Sequence, residues 1–361
     1  MYQLRKKRAA PKEHQIAKKL RMQIVDGELK PGTQLPKRLE LERVFSVSPV
    51  TLQRALQHLI KDGFIYARAG HGTFVVDHPP HLSHYGLVFP SHPNERETWG
   101  NFYTALNNVA LDIQRAGRRS LAVYYGLERP EHHEAREKLI EDVQAHRLAG
   151  LVFAFSPHNF KGTPIVDEPR IKRVAVMKAS MPGIPAVSLD GTTLTKYALD
   201  FFAARGRKRL AVICTPGQAG LIPHLAALAL ERGMTTHPYW QHAVTVGAPE
   251  WACNIVHLMT QAPRETRPDA LIIVDDNLVP HATAGLLAGG ISVPTEMDVV
   301  AHGNFPWLTP SMVPAKRIGF DARSVLSICL ETLDRQRKKV AVENVILVPA
   351  SVDEEVEQPM M

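Results

Sequence analysis

The sequence has little cysteine and lacks any long apolar run. Its three cysteines, Cys214, Cys253 and Cys329, are far apart and form no Cys-x-x-Cys pair, which argues against a disulfide framework or a cysteine-based zinc site. No apolar stretch reaches the length of a membrane-spanning helix, and the N-terminal "MYQLRKKRAAPKEHQ" lacks the apolar core of a signal peptide. These features favour a cytoplasmic protein.

Common catalytic motifs are also missing. The sequence has no G-x-S-x-G, H-E-x-x-H, phosphate-binding G-x-x-x-x-G-K-[ST] or dinucleotide-binding G-x-G-x-x-G in a suitable context. The adjacent Asp275 and Asp276 should point in different directions and therefore form no preset acid/base pair. We therefore expect no enzyme, although an acidic cleft on an α/β body leaves a hydrolase as a minor alternative. We expect no cofactor.

Three histidines occur at intervals of three, His78, His81 and His84. Such spacing can suggest a metal site, but Pro79 and Pro80 prevent the three side chains from sharing one helical face. The stretch "VDHPPHLSHYG" has no hydrophobic period and predicts a linker at 78–84. We expect no metal here.

The charge is divided unevenly along the chain. Of 361 residues, the first 78 contain 15 Lys and Arg against 7 Asp and Glu, and the others contain 28 against 29. The length suits two or three domains. The division predicts a head that binds a polyanion, attached to a neutral body. A solvated basic tail is the alternative, but the charge continues beyond "RKKR" into patterned sequence.

The first 77 residues predict three short helices followed by two strands. Ile16, Leu20 and Ile24 form one apolar stripe, and Ser48 followed by Pro49 is a typical start of a helix. The apolar positions of the second and third helices are Leu39, Leu41, Val44 and Phe45, then Val50, Leu52, Ala55, Leu56, Leu59 and Ile60. With "FIYARAGHGTFVV" as strand, turn and strand, this order predicts a winged helix-turn-helix.

These residues resemble the DNA-binding domain of GntR-family bacterial transcription regulators. The resemblance covers about residues 10–77 and rests on an ordered set, "L-x-P-G-x-x-L-P", "F-x-V-S", "T-L-x-R-A-L-x-x-L" and "G-x-G-T-F-V". It implies a recognition helix in a DNA groove and a hairpin as the wing. The family's usual "P-S-E-R" is replaced by Pro36-Lys37-Arg38-Leu39, and its two arginines in the recognition helix by Pro49 and Gln53.

The resemblance implies several DNA contacts. Gln53 would read adenine where arginine prefers guanine, or would make only a phosphate contact. At the wing tip, Gly72 permits close approach to the minor groove and His71 could donate to its floor. The remaining candidates are Ser48, Thr51 and Arg54 in the recognition helix, and Lys37 or Arg38 in place of the family arginine, which aligns with Leu39. Lys18, Lys19 and Lys37 are expected as phosphate contacts.

Residues 85–361 show another pattern, in which short apolar runs alternate with helical stretches. Runs such as "YGLVFP", "LAGLVFAFS", "RLAVICTP" and "ALIIVDD" are nearly continuous apolar strands. Such alternation predicts an α/β fold with doubly wound parallel sheets. Ligands bind such sheets beyond the carboxyl ends of the strands. The C-terminal "VDEEVEQPMM" is expected to be disordered.

This second region is similar to the effector-binding domain of LacI-type regulators and periplasmic sugar-binding proteins. The similarity is carried by "YGLVFP", "PAVSLDGTTLTKYALDFFAARGRKRLAVI", "RPDALIIVDDNLVPHATAGLLAGGISVPTEMDVVAHGNF" and "ENVILVPASV". It implies two lobes with a ligand in the cleft between them. The crossing segments are expected near 186–190, 304–307 and 337–342.

The same similarity indicates ligand-binding residues. Asp190 and Asp276 match family aspartates, whereas His302 and Asn304 stand where the family has "F-D-D". Alternative roles are a helix cap for Asp190, core packing for the aromatic residues and hinge packing for Trp307. The remaining candidates are Ser91, Trp99, Phe102 and Trp307, and Tyr103 lies beside Phe102.

Together, these features predict a sequence-specific transcription regulator, and a repressor in particular. A homodimer would bind a double-stranded DNA operator, and a small molecule such as a sugar or sugar derivative would control it. The alternative is a sugar-binding module that associates with nucleic acid nonspecifically and regulates nothing.

Overall fold

The computed structural model describes residues 11–117 and 119–353. The Lys/Arg run at 5–8 and the acidic tail from 354 onward lie outside the described residues. Within the described ranges, no helix combines the length and apolar character needed to cross a membrane.

The head contains three helices and a hairpin. Its elements are α1 (Lys12–Val25), α2 (Arg38–Phe45), α3 (Pro49–Lys61), β1 (Ile65–Arg68) and β2 (Gly72–Val75). The stripe Ile16, Leu20 and Ile24 is buried, and α1 packs against α3. β1 and β2 pair antiparallel. The predicted winged helix-turn-helix is confirmed.

Four predicted apolar positions of the head are not in its core. Leu39, Val44, Val50 and Ile60 are exposed, whereas the neighbouring Leu41 is buried. Helices this short bury one stripe against each other, so apolar residues on their outer faces remain in solvent.

The predicted linker has some structure of its own. Residues 80–83 form a short helix, α4 (Pro80–Ser83), and strand β3 begins directly at His84. The His81 ring stacks on Phe64 of the head, with ring centroids 5.8 Å apart. The segment is thus packed against the head.

The first lobe of the body is a six-stranded parallel sheet covered by helices. The strand order is β4-β3-β5-β6-β7-β13, in which each neighbouring pair is parallel. The strands are β3 (His84–Val88), β4 (Ser120–Tyr124), β5 (Gly150–Phe153), β6 (Lys172–Val176), β7 (Ala186–Leu189) and β13 (Val345–Val348); the helices are α5 (Asn101–Arg115), α6 (His133–Gln144), α7 (Pro164–Asp167) and α12 (Ala322–Arg337).

The second lobe repeats this topology. Its order is β9-β8-β10-β11-β12-β14, and only β14 is antiparallel to its neighbour. The strands are β8 (Leu210–Cys214), β9 (Gln241–Ala243), β10 (Ala270–Ile273), β11 (Asp298–Phe305), β12 (Lys316–Asp321) and β14 (Ser351–Val352); the helices are α8 (Gly191–Ala204), α9 (Ile222–Glu231), α10 (Trp251–Thr260) and α11 (Val279–Ala288). The predicted doubly wound α/β class is confirmed.

One of the three predicted crossings is in place and two are wrong. The chain leaves the first lobe after β7, near residue 190, as expected. Residues 304–307 stay in the second lobe, because β11 runs to Phe305 and pairs with β12. The second crossing therefore lies at Asp321–Ala322, where α12 begins and packs against α5 and β6. The third lies at 349–350, between β13 and β14, and not at 337–342.

Candidate DNA-binding head and interlobe cavity

The recognition helix α3 begins with a hydroxyl cap. The backbone N–H of Thr51 donates to Ser48 Oγ at 3.3 Å, and the two hydroxyl oxygens are 3.0 Å apart. Both predicted DNA contacts thus also hold the start of the helix, where the unpaired N–H groups favour an anion.

Two other candidates project from the first turns of α3. Arg54 is exposed, and Gln53 is half-buried. The Oε1 of Gln53 is buried and has no hydrogen-bond partner among the described residues. Because its oxygen has no partner, the Gln53 amide is available to hydrogen-bond the edge of a base. The geometry is therefore compatible with the predicted contact to adenine.

The wing tip is held by a residue that the sequence did not single out. Gln34 Nε2 donates to the carbonyl of His71 at 2.6 Å. A Cβ on Gly72, which has a φ of +109°, would lie 2.5 Å from that same nitrogen. The His71 ring lies 2.8 Å from the Ala69 carbonyl, Nδ1 to O. Gly72 is therefore required by the backbone and by Gln34, whatever it does at DNA.

The basic candidates of the head are all exposed. Lys37 precedes α2, and Arg38 is its first residue. The Lys19 ammonium lies 5.5 Å from the centre of the Phe45 ring. Lys18 instead lines a groove that also includes Glu141 of the body. Its position therefore differs from that of the other candidates.

A cavity of about 580 Å³ lies between the lobes. A second cavity of about 430 Å³ adjoins it, since both are lined by Phe102 and Asp275. The predicted residues Phe102, Asp190, Asp276, His302 and Asn304 all line the larger cavity. The structure thus brings together five side chains that are distant in the sequence.

Asp276 is almost completely buried at the cavity wall. It is 1% exposed, and its Oδ2 accepts a hydrogen bond of 2.7 Å from Asn304 Nδ2. Burial, together with the charge of Asp275, raises the pKa of Asp276 to about 7. A carboxyl group in this state can accept or donate a hydrogen bond near neutral pH.

Two polar atoms beside Asp276 have no partner among the described residues. They are Nδ1 of His302 and Oδ1 of Asn304, and both are buried. Burial lowers the pKa of His302 below its ordinary value, so the imidazole is neutral. Because unpaired buried polar atoms are costly, such a pair in a cavity indicates a polar ligand.

Asp190 is a helix cap, which was the alternative role expected from the sequence. It caps α8 by accepting hydrogen bonds from the backbone N–H of Thr192 at 3.0 Å and from the Thr193 hydroxyl. The Thr193 hydrogen bond is the main cause of the lowered pKa of Asp190. The carboxylate nevertheless lines the cavity, so capping orients it there.

The predicted aromatic residues divide into two groups. Phe102 and Tyr103 line the smaller cavity. Trp99 is outside the lining of both cavities: its ring packs 4.9 Å from Phe89, and its Nε1 donates to Thr104 Oγ1 at 2.9 Å.

The remaining two candidates are also outside the lining of both cavities. Ser91 is 2% exposed and donates to the carbonyl of Thr98 at 3.2 Å, so it holds the loop after β3. Trp307 is half-buried against the apolar core.

Several lining residues were missed by sequence reasoning. Asp275 lines the same cavity as Asp276, although neighbours in the chain were expected to diverge. Its carboxylate accepts from Asn277 Nδ2 at 2.7 Å and from Gln218 Nε2 at 3.2 Å. Asp275 follows directly after an apolar strand, and this position was the signal in the sequence that could have identified it as a lining residue. Lys178 and Ser188 also line the cavity, but no comparable feature of the sequence marks them.

The two lobes also touch beside the cavity. The backbone N–H of Asn101, the first residue of α5, donates to Asn277 Oδ1 at 3.0 Å. The Asn101 side chain also lies near Asp276, where it favours the ionised carboxylate and so opposes the rise in pKa. The first lobe is thus bonded to the carboxylate cluster of the second.

Comparison with known proteins agrees with this division into a DNA-binding head and a two-lobed body. Residues 12–75 match the bacterial regulatory proteins of the gntR family, and residues 199–353 match the periplasmic binding protein-like domain. The fold is that of a regulator with a two-lobed ligand-binding body. The chain is thus similar to the gntR family of bacterial regulatory proteins in its first domain and to the periplasmic binding protein-like domain in its second.

Two relatives match along almost the whole chain. The arabinose metabolism transcriptional repressor of Halalkalibacterium halodurans is 20% identical over 93% of this chain and 94% of its own length. The repressor of the same name from Geobacillus stearothermophilus is 22% identical over 90% and 93%. Among solved structures, a LacI family regulator from Lactobacillus casei with bound glucose has a TM-score of 0.55 at 15% identity, over 77% of this chain and all (100%) of that one. This last likeness shows the fold of the body.

Proposed function

We propose that the protein is a sequence-specific transcription repressor whose affinity for its operator is controlled by a small polyhydroxylated molecule in the interlobe cavity. One observation carries the proposal. A gntR-family winged helix and a cavity with buried, unpartnered polar atoms occur in one chain. The domain division proposed for this function is a head at 1–77, a connecting segment at 78–84 and a body at 85–361.

At the DNA, the start of α3 would enter the major groove. Gln53 and Arg54 would contact bases, while Ser48 and Thr51 would bind phosphate or base edges. His71 and Gly72 would reach the minor groove from the wing, which Gln34 holds in position. Lys19, Lys37 and Arg38 are exposed and suit phosphate contacts. Lys18 is a weaker candidate because of its place beside the body.

In the cavity, Asp190, Asp276, His302 and Asn304 would bind hydroxyl groups, and Phe102 would pack against an apolar ring face. The names of the full-length relatives, which are arabinose metabolism repressors, support a sugar as the effector. The ligand would act by binding one arrangement of the lobes more tightly than the other.

The repressor would act as a homodimer in the cytoplasm, where its DNA lies. A two-fold operator requires two heads. Trp251 and Leu258, seven residues apart on α10, are both more than half exposed and suit a contact with a second copy. Light scattering should give twice the chain mass, and Leu258→Asp should reduce it to one chain.

The cavity is proposed to bind its ligand without converting it. Relatives along the whole chain are named as repressors. Turnover of a bound sugar that is lost in Asp276→Asn, with the fold retained, would contradict this part of the proposal.

Selection of bound genomic fragments by the purified protein tests the main proposal. At about 0.15 M salt, weak electrostatic binding is suppressed, and a regulator should prefer its site by about a thousandfold or more. We expect one palindromic site, from which an added effector sugar displaces the protein. Recovery of random fragments would favour the alternative, a sugar-binding module with nonspecific nucleic-acid association.

A further inference from the structure

The charges around the interlobe cavity are unequal. Its lining includes the carboxyl groups of Asp190, Asp275 and Asp276, and the adjoining cavity adds Glu97. Lys178 is the one basic side chain among the residues that line the two cavities, and it is exposed at their shared mouth. A negative group on a ligand would therefore meet more charge of its own sign than of the opposite sign.

The nearby Arg317 guanidinium offsets part of the charge of Asp276, but it is not among the groups that face a ligand. Arg317 is 7% exposed and lies outside the cavity lining. Its guanidinium donates to the backbone carbonyls of His302 and Thr309. The guanidinium thus lies behind the cavity wall and donates to backbone carbonyls. It offers no hydrogen bond to an anionic ligand in the cavity.

The hydrogen-bonding groups around Asp276 are mainly acceptors. The amide of Asn304 directs Nδ2 toward Asp276 and leaves Oδ1 free. The carboxylate of Asp275 already accepts three hydrogen bonds and remains an acceptor. His302 is neutral and contributes no positive charge. A suitable ligand therefore donates hydrogen bonds to this wall.

Apolar side chains also line the cavity, among the polar ones. They are Leu221, Leu225, Ile272, Val274 and Phe320, and the Phe320 ring lies 5.8 Å from that of His302. A phosphate or carboxylate packed against these side chains would lose its hydration without gaining a hydrogen-bond donor. This part of the lining therefore does not suit an anion.

We propose that the cavity selects an uncharged polyol or sugar that donates hydrogen bonds to the acidic wall, and that it rejects sugar phosphates and sugar acids. The inference rests on the function proposed above and specifies the chemical class of its effector. Like charges a few ångströms apart in a partly dehydrated site repel strongly, so an added negative charge should weaken binding at least about tenfold.

The test uses the full-length protein and matched ligands. Isothermal titration compares neutral pentoses and hexoses, D-glucose and D-galactose among them, with the corresponding uronic acids and 6-phosphates. The uronic acid is nearly the same size as its parent sugar, so the pair separates charge from bulk. We expect a neutral sugar to bind and its uronic acid to bind at least about tenfold more weakly.

Two variants relate the rejection to the acidic wall. In Asp275→Asn, the ratio between the neutral sugar and its uronic acid should fall severalfold, because one repelling charge is gone. Asp200→Asn is the matched control: Asp200 is exposed on α8, pairs with Arg232 and lies outside the cavity lining, so the ratio should not change. If Asp275→Asn does not fold, Asp276→Asn provides the same comparison.

The possible failures are distinguishable. A uronic acid or sugar phosphate that binds as tightly as its parent overturns this inference and leaves a sugar-controlled repressor intact. An unchanged ratio in both aspartate variants overturns the electrostatic cause. If no sugar, acid or phosphate binds, the proposed effector is wrong and this inference falls with it.

Discussion

The head and the interlobe cavity differ in what surrounds their functional side chains. In the head, Lys19, Lys37 and Arg54 are exposed to water. In the cavity, Asp276 and Asn304 are each 1% exposed. The head's charges keep their hydration until a polyanion arrives, whereas those of the cavity lose it when the chain folds. Substitutions in the cavity should therefore change the stability of the free protein, and substitutions of the exposed basic residues of the head should change only its binding.

The largest expected effect belongs to Asp276→Asn. The pKa of Asp276 is raised from 3.8 to about 7 in the folded protein. Between these values the unfolded chain loses a proton that the folded chain keeps, so stability falls as pH rises from about 4 to about 7. Asparagine removes this penalty and can still accept from Asn304. We expect the ligand-free variant to be more stable by on the order of 3 kcal/mol near pH 8.

Urea unfolding near pH 8 and near pH 4 measures this gain. It should be largest at the higher pH and small at the lower one, where the folded carboxyl group is protonated and the unfolded one, with its ordinary pKa of 3.8, is still partly protonated. A gain that is equal at the two pH values would show that the cause is packing.

The next effect lies at the contact between head and body. Asp62, which follows α3, is 9% exposed and pairs with Arg21 of α1 and with Arg147 of the body, the latter at 2.9 Å. In Asp62→Asn, Arg21 loses its charged partner while Arg147 keeps Asp142. We expect the head to lose about 2 kcal/mol of stability, somewhat less than the roughly 3 to 5 kcal/mol for breaking a buried pair, because the asparagine oxygen can still accept from Arg21.

Hydrogen exchange of the amides in α1 and α3 measures this loss of stability. These amides should exchange about thirtyfold faster in the variant. Asp26→Asn is the matched control, since Asp26 pairs with Arg170 of the body at 3.3 Å but is 42% exposed. That variant should change exchange less than about threefold. Equal effects of the two substitutions would mean that burial does not set the strength of these contacts.

The sequence predicted the buried stripes, the strands and the order of the domains, because hydrophobic period and charge partition are local signals. It did not predict the second and third crossings, because these depend on which sheet accepts β12 and β13. Five residues predicted from the sequence line the cavity: Phe102, Asp190, Asp276, His302 and Asn304. Trp99 and Trp307 lie outside its lining, because an aromatic residue after a strand can equally pack in the core.

A smaller effect is expected from Gln53→Ala, which leaves the fold unchanged because Gln53 Oε1 has no partner within the described chain. If Gln53 reads a base, the preference for the selected operator over a variant at one base pair should fall by about 1 to 2 kcal/mol, or five- to thirtyfold. Titration of both DNA duplexes measures the preference. Equal losses on operator and scrambled DNA would assign Gln53 to a phosphate.

The smallest effect is expected from Lys19→Ala. Lys19 is exposed, and its one described contact is the Phe45 ring at 5.5 Å. A cation over a ring at an exposed site contributes roughly 0.5 kcal/mol, so stability should hardly change. Binding should weaken by the same factor on operator and scrambled DNA, and the slope of log affinity against log salt should become shallower by about 0.9, the value for one phosphate.

Lys208→Ala, a lysine of the body, is the control and should leave the slope unchanged. If Lys19→Ala weakens operator binding alone, or leaves the salt slope as it was, the residue is not a phosphate contact. A large loss of stability would instead contradict the comparison itself, because an exposed charge of the head would then be needed for the fold.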